Sequence, residues 1–132
     1  HHRSLTALDR IVLPALHRFK PDLIVVASGL DANALDPLAR MLAHSETYRA
    51  MTTRLMQAAD TLCGGRLVMV HEGGYSEAYV PFCGQAIMET LSGCRTQVID
   101  PFLDFLMAQQ PPPEFDALEA QRLSDMAESY GL

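Results

Sequence analysis

Residues 23–28 read LIVVAS and residues 66–70 read RLVMV. Neither run alternates apolar with polar residues. An unbroken, largely β-branched run of this length suits a strand covered on both faces, as strands of parallel sheets are. Between them, Tyr48, Met51, Leu55, Met56, Ala59 and Leu62 recur along one face of a predicted helix over residues 46–63. Ser45 stands in the capping position, and Gly64-Gly65 is a helix stop. Strand, helix, strand in this order makes a βαβ unit whose strands lie parallel with a right-handed crossover. The expected fold class is α/β with a partial parallel sheet.

Residues 5–19 carry Leu5, Leu8, Ile11, Val12, Ala15, Leu16 and Phe19 at helical spacing, with Pro14 expected to kink or shorten the helix. A helix over 78–92 follows the second strand. Pro81 is tolerated in its first turn, and Gly84 weakens it slightly. The tail holds Phe102–Met107, a proline break at 111–113, and an amphipathic surface helix over about 114–128. The seven methionines fall at helical spacing and are expected in the core. The length of 132 residues suits one domain, taken here as residues 1–132.

Parallel strands open in the same direction. The loop after the first strand (Gly29, Leu30, Asp31) and the loop after the second (HEGGY, 71–75) therefore emerge on one edge. In open α/β sheets that carboxyl edge is where ligands bind. Asp31 and Tyr75 are thus expected to face one crevice. Asp31 reads either as a carboxylate capping a turn or as an oxygen ligand to zinc. Tyr75 reads either as an aromatic wedge or as a phenol that donates to a substrate carbonyl and its oxyanion. Gly73 and Gly74 let the backbone pass close to a substrate. GGYSEAY is also compatible with an anion cradle at a helix N-terminus, which Glu72 and Glu77 oppose by repulsion. His44 and His71 are candidate ligands or bases, though a lone histidine at a strand end is more often structural. Asp36, followed by Pro37, is expected to cap or turn the 29–45 loop. Arg40, Arg49 and Arg54 are expected on a solvated face or beside local acids.

Bulk properties narrow the function classes. The hydrophobic fraction of 48% is globular. A net charge of −6 argues against nucleic acid and anionic membrane as partners. No apolar run approaches the roughly 18 residues of a membrane span, and the N-terminus has no apolar signal region. Cys63, Cys83 and Cys94 lack metal-ligand spacing and are expected to be reduced, half-buried thiols of a cytoplasmic protein.

PDLIVVASGLDANALDP (21–37) and RLVMVHEGGYS (66–76), in this order at two strand ends with a helix between them, resemble the C-terminal part of the histone deacetylase superfamily. The likeness is greatest to its bacterial class II-like and acetylpolyamine-amidohydrolase-like members and spans roughly residues 5–100. The resemblance implies a three-layer arginase/deacetylase-like α/β fold and zinc-dependent hydrolysis of acetyl-amides of lysine or polyamines. It implies that Asp31 is a zinc ligand, that Tyr75 polarises the acetyl carbonyl, and that Gly73 and Gly74 line the substrate channel. Asn33 stands where many relatives have histidine, and little consequence is expected.

The family's other two zinc ligands come from an Asp-x-His segment, and this chain contains none. The family's basic His pair lies in an upstream glycine-rich loop. His1-His2 does not match that position, so the role is not carried over. The chain is therefore expected to be the C-terminal piece of a zinc deacetylase, inactive and binding zinc weakly or not at all in isolation. Its expected partners are the missing N-terminal portion or a second copy of itself. The competing expectation is a non-catalytic α/β module that binds a protein through its exposed sheet edge and apolar tail.

Overall fold

The computed structural model describes residues 2–38 and 41–132. The chain opens with helix α1 (His2–Ala7), a π-helical turn (Leu8–Val12) and α2 (Leu13–Phe19). Pro14 explains the change of pitch. Proline has no N–H, and its ring crowds the carbonyl four residues back. The backbone widens just ahead of it, and the Leu13 N–H donates to the Leu8 carbonyl, five residues away. The expected kink or shortening is thus absorbed as a bulge, and the helical run continues to Phe19.

Strands β1 (Ile24–Ser28) and β2 (Leu67–His71) pair in parallel, with Ile24 opposite Leu67 and Ser28 opposite His71. Helix α3 (Ser45–Cys63) joins them and ends at Gly64. It starts one residue earlier than expected. His44 is the cap, and its N–H donates to Thr47 Oγ1 at 3.1 Å. Ser45, the expected cap, is the first helical residue. Helix α4 (Val80–Ser92) begins with Pro81 in its first turn and packs against α3. Helices α5 (Leu103–Ala108) and α6 (Pro113–Ser129) form the tail. Helix α6 lies on the N-terminal helix, where Arg10 Nη1 donates to the Ala120 carbonyl and Arg18 Nη1 to those of Tyr130 and Gly131. Among the described residues no helix is long and apolar enough to cross a membrane.

The sheet is covered on one face. Ile24 and Val26 pack with Leu16, Ala59, Cys63 and Leu67. Met69 packs on a second cluster built from Leu30, Ala43, Tyr48, Tyr79, Cys83, Ile87 and Leu106. On the other face Val25 is 60% exposed, Val68 46% and Val70 42%. The expectation of strands buried on both faces is therefore not met within this chain. The apolar residues are in place, but no described element covers them. The methionines divide in the same way. Met51 and Met69 pack against the core and Met56 is half-buried, whereas Met41, Met88, Met107 and Met126 are exposed. Cys63 and Cys83 are buried and Cys94 is exposed, all three as free thiols.

A carboxylate clamp ties α3 to α4. Glu89 is buried and accepts from Arg49 Nη2 at 2.7 Å, Gln85 Nε2 at 3.0 Å, the Thr96 N–H at 2.9 Å and the Thr96 hydroxyl at 2.5 Å. Arg49 also donates to Glu46, and Arg54 donates to Asp9, so both arginines serve local acids. Arg40 lies outside the described residues. The donors around Glu89, the Thr96 hydroxyl foremost, hold its carboxyl down at about 2, against 4.5 for a free glutamate. A depressed carboxyl stabilises the fold above its unfolded pKa and loses that contribution as pH falls through the folded value. Thermal melts followed by circular dichroism should therefore show the wild type losing Tm between pH 4.5 and 2 more steeply than Glu89→Gln. Parallel losses in the two proteins would remove the clamp from the account of acid stability.

Candidate functional site

The register that ends β1 at Ser28 and β2 at His71 brings the two following loops out side by side. Backbone pairing continues past the strands. The Glu72 N–H donates to the Ser28 carbonyl at 3.1 Å, and the Leu30 N–H to the Gly73 carbonyl at 2.5 Å. Next in the chain is Asp31, whose carboxylate lies directly on the glycine backbone. A Cβ at Gly73 would stand 2.5 Å from Asp31 Oδ2, and one at Gly29 would stand 2.7 Å from Oδ1. No side chain fits at residue 73 while Asp31 keeps this position. Gly74 has φ of 148°, which side-chain-bearing residues rarely adopt, and a Cβ there would meet Leu30 Cβ and Val80 Cγ2 at 2.9 Å. The two glycines of HEGGY thus let the second loop lie flush against the first.

Tyr75 is held from its backbone. Its N–H donates to Asp36 Oδ2 at 2.8 Å, while Asp36 Oδ1 accepts from the Leu38 N–H at 2.9 Å. Asp36 is buried. It does turn its own loop, as expected, but its second oxygen fixes the residue that the sequence singles out on the other loop. The Tyr75 side chain is 57% exposed. The edge therefore carries a carboxylate seated on glycine backbone and, two residues beyond that glycine, an exposed phenol on an anchored main chain.

Three contributors escaped the reading of the sequence. Asn33, expected to matter little, is fully buried. Its Nδ2 donates to the Leu30 carbonyl at 2.6 Å, and its Oδ1 accepts from the Leu35 N–H at 2.9 Å. It braces the loop on both sides of Asp31. Tyr48, read only as a helix-face residue, is buried under the site, with its hydroxyl 3.4 Å from the Gly29 carbonyl. Burial, and then the nearby Cys83, Asp31 and Asp36, push its phenol far up, so it stays protonated. Asp36 is the third. Its partner on the second loop is invisible in local sequence, because residues 36 and 75 meet only once the strands have paired.

Neither candidate histidine completes a metal-binding group with Asp31 among the described residues. His44 is buried at the start of α3, and burial lowers its pKa, which favours neutral imidazole. His71 is exposed at the end of β2. Among the described residues no group of three His, Cys, Asp or Glu side chains converges as a metal site. Zinc takes three or four protein ligands. Asp31 has the right chemistry for one of them, but the donors present do not complete a set, so no chemical step within this chain is routed through a metal.

Comparison with known proteins accords with this edge. The histone deacetylase domain model matches residues 1–91. A histone deacetylase-like amidohydrolase of Pseudomonas aeruginosa is 59% identical over all 132 residues, which cover 35% of its own length. A probable deacetylase of Archaeoglobus fulgidus is 33% identical over 90 residues, 67% of this chain and 25% of that protein. The solved structure of the histone deacetylase Clr3 superposes with a TM-score of 0.69 at 23% identity, covering 96% of this chain and 18% of that one, a likeness of fold alone. The chain belongs to the histone deacetylase family and spans about a third of the length of its Pseudomonas relative.

Two glycine substitutions separate close approach from ordinary helix propensity. Gly73→Ala must displace the Asp31 carboxylate and should destabilise by about 1–3 kcal/mol, as overpacking does. At Gly84, inside α4, a Cβ would meet only Leu30 Cδ1 at 3.7 Å. Gly84→Ala should stabilise by roughly 0.5–1 kcal/mol. Urea denaturation measures both, and a Gly73→Ala protein as stable as wild type would show that Asp31 is not pinned there.

Proposed function

We propose that this chain is the C-terminal part of a zinc-dependent deacetylase that hydrolyses acetyl-amides, whether of acetyl-lysine in proteins, of acetylpolyamines or of related small molecules. The observation that carries the reading is the seating of Asp31 on Gly73 beside the anchored Tyr75, at the joint carboxyl edge of two parallel strands in a chain of this family. Zinc, when bound by the complete protein, supplies Lewis-acid polarisation and a water of lowered pKa. Asp31 offers that metal one anionic oxygen. The Tyr75 hydroxyl donates to the acetyl carbonyl and more strongly to the oxyanion that develops from it. Gly73 and Gly74 leave the approach free of side chains. The remaining ligands and the general base come from sequence outside this chain.

Isolated, the chain is inactive and holds zinc weakly or not at all, since one carboxylate cannot replace three ligands. In the complete protein the bare face of Val25, Val68 and Val70 is covered by the rest of the domain. In isolation it favours self-association, because exposed apolar area of this kind finds partners. Cytoplasmic placement, with reduced thiols, belongs to the same proposal.

The test is made in the complete protein on an acetyl-lysine peptide. Tyr75→Phe should lower kcat roughly 100- to 1,000-fold, the loss typical of one oxyanion donor, with KM little changed. Asp31→Ala should lower both bound zinc, measured by elemental mass spectrometry, and activity. If both variants deacetylate as fast as wild type, these site assignments are wrong. The bare sheet face would then favour the second reading, a non-catalytic protein-interaction module, which calls for a stable metal-free complex at micromolar concentration.

A further inference from the structure

The match to the histone deacetylase domain stops at residue 91, yet the segment beyond it grips the loop that carries Asp31. Three residues make the grip. Asp100 Oδ2 accepts from the Ser45 hydroxyl at 2.6 Å and from the Tyr79 hydroxyl at 2.8 Å, and Tyr79 Oη in turn accepts from the Ser45 N–H at 3.0 Å. Ser45 and Tyr79 are both buried, so this network fixes the junction where the 29–44 loop enters α3 and the turn that follows HEGGY. Leu106 of α5 is fully buried in the same cluster as Leu30 and Ala43. Finally, Gln110 Nε2 donates to the Leu42 carbonyl at 3.1 Å.

The last contact lies on a strained point. Leu42 has φ of 58°, a left-handed conformation that a leucine adopts at a cost. Beside it, the Ala43 N–H donates to the Ala32 carbonyl at 3.1 Å, and the Ala34 N–H donates to the Ala43 carbonyl at 2.8 Å. Ala32 is the neighbour of Asp31. A continuous path of hydrogen bonds therefore runs from Gln110 through Leu42 and Ala43 to the residue next to the carboxylate.

We propose that the segment beyond residue 91 is a clasp on the site, in which Gln110, through the Leu42 carbonyl, and Asp100, through Ser45 and Tyr79, are positioning residues for Asp31 and Tyr75. The inference rests on the deacetylase reading for its catalytic consequence, but the positional part stands without it. The clasp fixes the distance between the carboxylate and the phenol, which sets how well a bound acetyl group meets both. Misplacement of a reacting group by about 1 Å can cost 100-fold in rate with little effect on binding.

Gln110→Ala is the principal variant, because it removes one half-buried donor and leaves the core intact. Asp100→Asn is the second, since it replaces an acceptor with a group that can satisfy only part of the network. Leu118→Ala, on the exposed side of α6, is the control within the same segment. Two measurements are made in the complete protein. Amide hydrogen exchange should rise at least about tenfold at Ala34 and Ala43 in Gln110→Ala, and at Ser45 in Asp100→Asn, with Leu118→Ala unchanged. Steady-state deacetylation should show kcat about tenfold lower with KM within twofold. Unchanged exchange at Ala34, Ala43 and Ser45 overturns the clasp whatever the activity. Raised exchange with wild-type kcat also overturns it, since the loop would then move without consequence for the site. Raised exchange in a protein with no deacetylase activity before mutation supports the grip and defeats the deacetylase reading alone.

Discussion

The contact between the Asp31 carboxylate and the Gly73 backbone is the constraint around which the site is arranged. It requires that β1 and β2 end in register, that the Leu30 N–H reach the Gly73 carbonyl, and that residue 73 carry no side chain. It also determines where Tyr75 can be, because only one residue separates the two. Asp36 completes the arrangement from the opposite direction by accepting the Tyr75 N–H. A carboxylate and a phenol from loops more than forty positions apart thus share one edge, each held through main chain and not through a bond between their side chains.

The sheet shows the opposite economy. One face is packed by α2 and α3, while Val25, Val68 and Val70 on the other stand largely open. Fully burying a valine is worth roughly 1.5 kcal/mol or more. A two-stranded sheet with one bare face forgoes much of the stabilisation its own sequence offers. The unbroken apolar pattern of both strands describes a layer on each side, and this chain supplies one. The polar clamp around Glu89 and the arginine contacts to α6 hold the helical layer together independently of that open face.

The tail is more closely integrated than its composition suggests. A proline-rich break and an amphipathic helix read as a surface element, and α6 does lie on the surface, against the N-terminal helix. The residues just before the break behave differently. Asp100, Phe102, Leu106 and Gln110 reach Ser45, Tyr79, Leu30 and Leu42 respectively, or the cluster that contains them. Phe102 stacks edge-on against Tyr79 at 5.7 Å and against Phe82 at 6.2 Å. None of these residues stands out locally, since an aspartate before a proline or a glutamine after a helix is ordinary in any chain.

Short-range regularities of the chain account for the elements and their order. Two β-branched runs flanking a helical period dictate a parallel pair, glycine after Cys63 ends α3, and Pro81 is placed where a helix can begin. Because parallel strands point one way, the adjacency of the Asp31 and Tyr75 loops follows as well, and the motifs around them indicate the family. Other features depended on chain segments that meet only after folding. His44, not Ser45, caps α3, and the Ser45 hydroxyl instead donates to Asp100, fifty-five positions away. Asn33, Asp36 and Tyr48 become parts of the site through contacts across the two loops and α3. The burial of a strand face depends on what lies opposite it, and no periodicity within a strand can say whether the covering layer is present. Local pattern decides which conformation a segment adopts; only tertiary structure decides what each side chain then touches.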